Sequence, residues 1–101
     1  MSSRDRMRRK LIAYDIPSDR RRLRVARALE EFGDRVQYSV FVVDLLPSRF
    51  VQLTATLTDI LDTKEDSILI CDLGLTAALS DEQFSFLGRS RDVMEMGPVI
   101  I

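Results

Sequence analysis

Three short runs in this chain, KLIAYDI (10–16), RVQYSVFVVDL (35–45) and DSILICDL (66–73), are apolar and rich in β-branched or aromatic residues. The two stretches between them repeat apolar residues at helical spacing. That alternation of periods limits the fold most, because strands alternating with helices in a short chain build one sheet with helices packed on it. The first run predicts a buried strand ending near Asp15, closed by Pro17. Ser18 or Asp19 then caps a helix running to about Phe32, with Val25, Ala28, Leu29 and Phe32 as its buried stripe and Gly33 as its terminator. Residues 35–45 predict one long strand, with Val36, Tyr38, Val40 and Val42 on one side and Gln37, Ser39, Phe41 and Val43 on the other. Pro47 suits the first turn of a second helix carrying Phe50, Leu53, Leu57, Ile60 and Leu61 inward. Residues 66–73 predict a third strand, and within ALSDEQFSFLG (78–88) a further strand is expected over 83–87. The tail PVII (98–101) is too apolar to be left in water and predicts a pairing segment. The order predicts a ferredoxin-like α/β (α+β) sandwich, βαββαβ, with both helices on one face of the sheet.

A length of 101 residues predicts one domain, with residues 1–7 as a frayed basic tail. With 46% apolar and 31% charged residues the chain reads as soluble and globular. A single cysteine, Cys71, excludes an internal disulfide framework, fits a reducing cytoplasm, and is expected as a small buried hydrophobe. No apolar run reaches the length of a membrane span, and MSSRDRMRRKL lacks the apolar centre of a signal peptide, so a cytoplasmic protein is expected. The near-neutral net charge hides an asymmetry: residues 1–35 hold eleven Lys or Arg against six Asp or Glu, and the remainder holds four against ten. Either the basic part faces an anion or the two parts attract each other.

The absence of histidine removes imidazole bases, serine–histidine triads and histidine zinc sites, and one cysteine removes thiolate zinc sites. The four scattered glycines form no phosphate loop. Any catalysis therefore falls to carboxylates, Arg, Lys, Tyr or Ser, with a hard metal such as magnesium held by oxygen. Asp15 is the best-placed carboxylate, at the carboxyl end of the first strand. One carboxylate holds magnesium poorly, and a two-fold dimer would supply a second; in an ordinary turn the same residue would only accept backbone N–H bonds. Arg20, Arg21 and Arg22 occupy the first turn of the expected helix, where cations cost roughly 0.3–1 kcal/mol each at exposed sites. A phosphate would remove that conflict. Arg20, Arg24 and Arg27 continue the basic stripe along one face, with Arg27 spaced to pair with Glu31. Tyr14, Tyr38 and Phe41 read as core residues, and the acidic group Asp59, Asp62, Glu65 and Asp66 as a solvated helix end and turn.

The combination YDIPSDRRRLRVARALEEFGDRVQYSVF (14–41) resembles the CRISPR-associated protein 2 family, the small nuclease-like partner of the CRISPR integrase. The likeness is close over residues 11–41: Tyr-Asp-Ile after an apolar strand, arginines opening the helix, and RVQYSVF shortly after a glycine. It implies a ferredoxin-like homodimer whose first-strand aspartates face each other across the two-fold axis. In some members that pair is held to bind magnesium and hydrolyse phosphodiester bonds in RNA or double-stranded DNA. Carried onto this chain, the metal aspartate is Asp15 with Tyr14 beside it, and Arg22, Arg24, Arg35 and Phe41 match positions associated with activity. Ser39 would reach the metal's water shell, and PVII would pair with the partner subunit. Many members continue SVF with Glu-Cys, whereas this chain reads Val42-Val43, with Asp44 two positions after Val42 on the same strand face.

The resemblance implies a role in acquiring CRISPR spacers beside the integrase, the CRISPR-associated protein 1 family. As an enzyme, the chain would be a magnesium-dependent endonuclease acting on RNA or duplex DNA, with Arg22, Arg24 and Arg35 positioning phosphates. As a scaffold, it would grip duplex DNA through Arg20, Arg21, Arg22, Arg24, Arg27 and Arg35 without cutting, while its C-terminal region docks the integrase. A toxin-like ribonuclease on the same fold is the third reading.

Overall fold

The computed structural model describes residues 6–80 and 83–89. Strand β1 (Arg8–Asp15) leads into helix α1 (Asp19–Glu30), then β2 (Gly33–Gln37), β3 (Val40–Leu45), helix α2 (Pro47–Ile60) and β4 (Ser67–Leu75). The four strands form one sheet in the order β2-β3-β1-β4, every neighbouring pair antiparallel. This is the α+β ferredoxin-like arrangement, with β1 and β3 central.

Alternation along the central strands divides the sheet into two unlike faces. Ile12 and Tyr14 of β1 and Phe41, Val43 and Leu45 of β3 point into the core that Val25, Ala26 and Leu29 of α1 share with Leu53, Leu57 and Ile60 of α2. Phe41, Ile12, Leu29, Leu53, Val25 and Val43 are its largest fully buried side chains. Ser18 starts α1 by accepting the Arg21 N–H on Oγ at 3.2 Å, and Pro47 occupies the first turn of α2, where its missing N–H costs nothing. On the second face Val36 and Val42 are buried with Leu11 and Val40, covered by Phe84 and Phe86. At one end of that face Arg9 donates from Nε and Nη2 to Asp44 (2.7 and 2.9 Å) and from Nη1 to Gln83 (2.6 Å), which ties the covering segment to the sheet.

Several expectations change. The single strand over 35–45 is a hairpin turning at Tyr38–Ser39, so Tyr38 is exposed rather than core. The turn is fixed from outside, because the Tyr14 N–H donates to the Ser39 carbonyl at 3.0 Å. Gly33 does not end α1; the helix ends at Glu30 with Glu31 as its C-cap, and Gly33 opens β2 without a positive φ. Residues 83–87 form no strand, and their phenylalanines instead cover the second sheet face. Cys71 is exposed, because β4 is an edge strand. Asp66 is not solvated: its side chain is fully buried against Arg21. Met7, expected in a frayed tail, accepts the Thr76 N–H at 2.9 Å on its carbonyl. Residues 1–5 and the tail 98–101 lie outside the described residues.

Candidate nucleic-acid and metal site

Asp15 is the last residue of β1, opposite Ser67 of β4, and it is exposed. It follows Leu11 and Ala13 by alternation, which sets it on the sheet face away from the helices. Among the described residues its carboxylate has no ion-pair partner. The donor set around it is spare. Among the described residues no group of three or more His, Cys, Asp or Glu could hold a metal ion. A lone free carboxylate suits a hard cation that keeps most of its water, as magnesium does, and a second carboxylate would strengthen the hold. Asp44 does not supply it: it stands level with Arg9, six positions back along β1 and so about 20 Å from Asp15, and it is held by the Arg9 guanidinium.

On the opposite side of the same strand end the other motif residues converge. The Tyr14 ring stacks on Phe41 with centroids 6.3 Å apart, and its hydroxyl donates to the Tyr38 carbonyl at 3.4 Å. Arg35 is the register partner of Phe41, and its guanidinium lies 5.1 Å above that ring. Nη2 of Arg35 donates to the Tyr14 hydroxyl at 3.4 Å, while its Nε is buried and, among the described residues, has no hydrogen-bond partner. Tyr14, Arg35, Arg22 and Tyr38 line a cavity of about 270 Å³ that Leu23 and Ala26 of α1 also border.

The three arginines of the helix start take different roles. Arg21 donates from Nε and Nη2 to Asp66 at 2.6 and 2.9 Å, and that pairing holds the Asp66 carboxyl below the usual carboxylate range. Arg22 donates from Nη1 to the Ile16 carbonyl at 2.8 Å and from Nη2 to Asp19, whose hydrogen bond raises the guanidinium's proton affinity. The conflict between cations and the helix start is thus answered inside the protein for two of the three. Arg20, Arg24 and Arg27 are exposed on the outside of α1. Ser39 sits in the hairpin turn, and its carbonyl serves Tyr14.

The sequence profile described as "CRISPR associated protein Cas2" matches residues 7–78, the span from the start of β1 through the turn after β4. The chain belongs to that family. A CRISPR-associated endoribonuclease Cas2 of Synechocystis is 52% identical over 58 residues, covering 57% of this chain and 63% of that protein. One of Rhodospirillum rubrum is 41% identical over 96 residues, covering 90% of this chain and 98% of its own length. Among solved structures, Streptococcus pyogenes Cas2 superposes with a TM-score of 0.62 at 37% identity, over 65% of this chain and 86% of its own. A chain of a partial Cas6-RT-Cas1--Cas2 complex superposes with a TM-score of 0.60 at 35% identity, over 66% and 79%.

Within this Cas2 fold, two partners of the arginines escaped the sequence reading. Asp66 carries no local signal, since it lies 45 residues from Arg21 and only the packing of α1 against the α2–β4 connection joins them. Asp19 did carry one, an acid three residues before Arg22 in the helix start. Tyr38 reads as a core residue in sequence because no glycine or asparagine between Gln37 and Val40 marks the turn.

Proposed function

We propose that this chain is a magnesium-dependent phosphodiesterase of CRISPR adaptation, an endonuclease on RNA or double-stranded DNA that works as a homodimer. The observation that carries the reading is the exposed, unpaired Asp15 carboxylate one residue from the Tyr14–Arg35–Arg22 cluster. Two copies of Asp15, one from each protomer, would hold the ion, with Ser39 of the hairpin turn near its water shell. The ion supplies a Lewis acid for the phosphoryl oxygen and a more acidic water. Arg22 keeps three of its five donors free of the Ile16 and Asp19 bonds, and among the described residues the one hydrogen bond of the Arg35 guanidinium runs from Nη2 to the Tyr14 hydroxyl; from the opposite side of the strand end these two cations would hold the phosphate next to the scissile one. Phe41 and Tyr14 fix the Arg35 guanidinium through stacking and the hydroxyl. Relatives named as endoribonucleases support the same reading.

The scaffold alternative rests on a different observation. Arg20, Arg24 and Arg27 leave an exposed basic stripe on α1, suited to a phosphate backbone rather than to one scissile bond. The similarity to a chain in a complex that contains Cas1 supports an integrase partner. Labelled single-stranded RNA and duplex DNA, incubated with magnesium or with chelator, separate the two readings. Cleavage that needs magnesium and falls at least a hundredfold in Asp15→Asn is the expected result. Salt-sensitive binding without any cleavage by the wild type would leave the scaffold.

A further inference from the structure

The cavity beside α1 is not on the face that presents Asp15, and its lining does not suit a metal. It is cationic and aromatic: Arg22, Arg35 and Tyr38 meet there, and Asp19 is already bound to Arg22. Tyr38 stands at the tip of the β2–β3 hairpin, 64% exposed, and among the described residues its ring stacks on no other. A large aromatic ring held open at a turn tip next to two guanidinium groups is what a nucleobase and its phosphate require. Arg35 is only partly buried, and among the described residues its guanidinium makes one hydrogen bond, from Nη2 to the Tyr14 hydroxyl, so it has donors left for a ligand's acceptor. The cavity, about 270 Å³ and open to solvent on one side, has room for one unstacked base.

We propose that this cavity is a nucleobase subsite, in which Tyr38 stacks one unpaired base of a single-stranded nucleic acid while Arg22 and Arg35 take the adjoining phosphate. This rests on the phosphodiesterase reading and extends it. A strand passing over the end of β1 would present its phosphate near Asp15 on one sheet face and place the neighbouring base in the cavity on the other. Tyr38 then makes the protein prefer unpaired over paired substrate, and it does so by positioning, since it donates nothing to the reacting atoms.

The test measures binding of a single-stranded RNA carrying 2-aminopurine, and of a duplex of the same length, over a range of salt, for wild type, Tyr38→Leu and Tyr38→Trp. Because Tyr38 is exposed, truncation leaves the core intact, and an unchanged thermal melt verifies this. The expected result is quenching of the 2-aminopurine by the wild type and an about tenfold weaker single-strand affinity in Tyr38→Leu. Tyr38→Trp retains the wild-type affinity, duplex binding does not change, and neither does the salt slope, because no charge is lost. Equal single-strand affinity of wild type and Tyr38→Leu overturns the subsite, as does an equal loss on duplex. Binding of a free nucleoside 5′-monophosphate as tight as that of the oligomer overturns it too, in favour of a small-molecule site. Failure of the wild type to bind either nucleic acid at any salt would instead sink the phosphodiesterase reading beneath it.

Discussion

Gly33 shows how much one residue carries here. It faces β3 so closely that a Cβ built on it would lie 2.1 Å from the Val42 carbonyl oxygen and 2.8 Å from the Val43 Cα. Both obstacles are backbone of the partner strand, so nothing flexible can give way. Gly33→Ala is expected to cost about 1–3 kcal/mol, the range for forced overpacking, and to open the β2–β3 ladder at its start. A urea titration reads this as a lower midpoint, and a midpoint equal to wild type would show that the strands separate freely there. The sequence marked Gly33 as special but for the wrong reason. A glycine after a helical stretch signals a left-handed cap, whereas here its φ is not positive and what matters is the missing side chain. The closeness of Asp15 to Arg22 was legible because strand end and helix start are adjacent in sequence. The split of Asp15 and Tyr14 to opposite faces follows from strand alternation.

At the scale of elements, β1 and β4 were legible as short apolar runs, and α1 and α2 by the helical spacing of their apolar residues. The hairpin was not, because Tyr38 and Ser39 carry none of the glycine or asparagine that mark a two-residue turn, and valines continue on both sides. A tertiary bond, Tyr14 N–H to the Ser39 carbonyl, makes the turn, and such bonds leave no local trace. The joint between α1 and the α2–β4 connection is similar. Asp66 accepts from Arg21 and from the Asp62 N–H, and these bonds depress its carboxyl pKa. A carboxyl held lower in the folded than in the unfolded chain stabilises fully above its unfolded value of about 3.9, and that stabilisation is lost as pH falls through the folded value. Asp66→Asn is therefore expected to lower the melting temperature at neutral pH, with the gap to wild type closing as the pH is taken below about 4. Melts followed by circular dichroism between neutral and acid pH check this; a gap that stays constant to the acid limit would mean that the carboxylate's charge contributes nothing.

At the scale of the whole molecule, the described residues leave the sheet unevenly covered. Helices cover one sheet face, and Phe84 and Phe86 cover part of the other, yet β4 leaves Leu69 63% exposed with Ile70, Leu75 and Cys71 also open to solvent. In register Leu69 stands beside Ala13, and Asp15 follows two residues on, so the open apolar strip runs up to the candidate metal carboxylate on one face. An apolar edge strand left bare invites pairing with another chain, and a small polar replacement there should not disturb the core. In the proposed homodimer this strip is buried and the two Asp15 carboxylates are brought together, so association and metal-dependent cleavage should fall as one. Leu69→Asp adds a buried like-charge conflict to that interface and is expected to give a monomer in sedimentation at concentrations where the wild type is a dimer. Its magnesium-dependent cleavage should drop by a factor of about ten or more, as follows if burying unpaired charge costs above about 1.4 kcal/mol. Raising the protein concentration should restore both properties in parallel. A monomeric variant with full cleavage would show that one Asp15 suffices and that the second carboxylate is not needed.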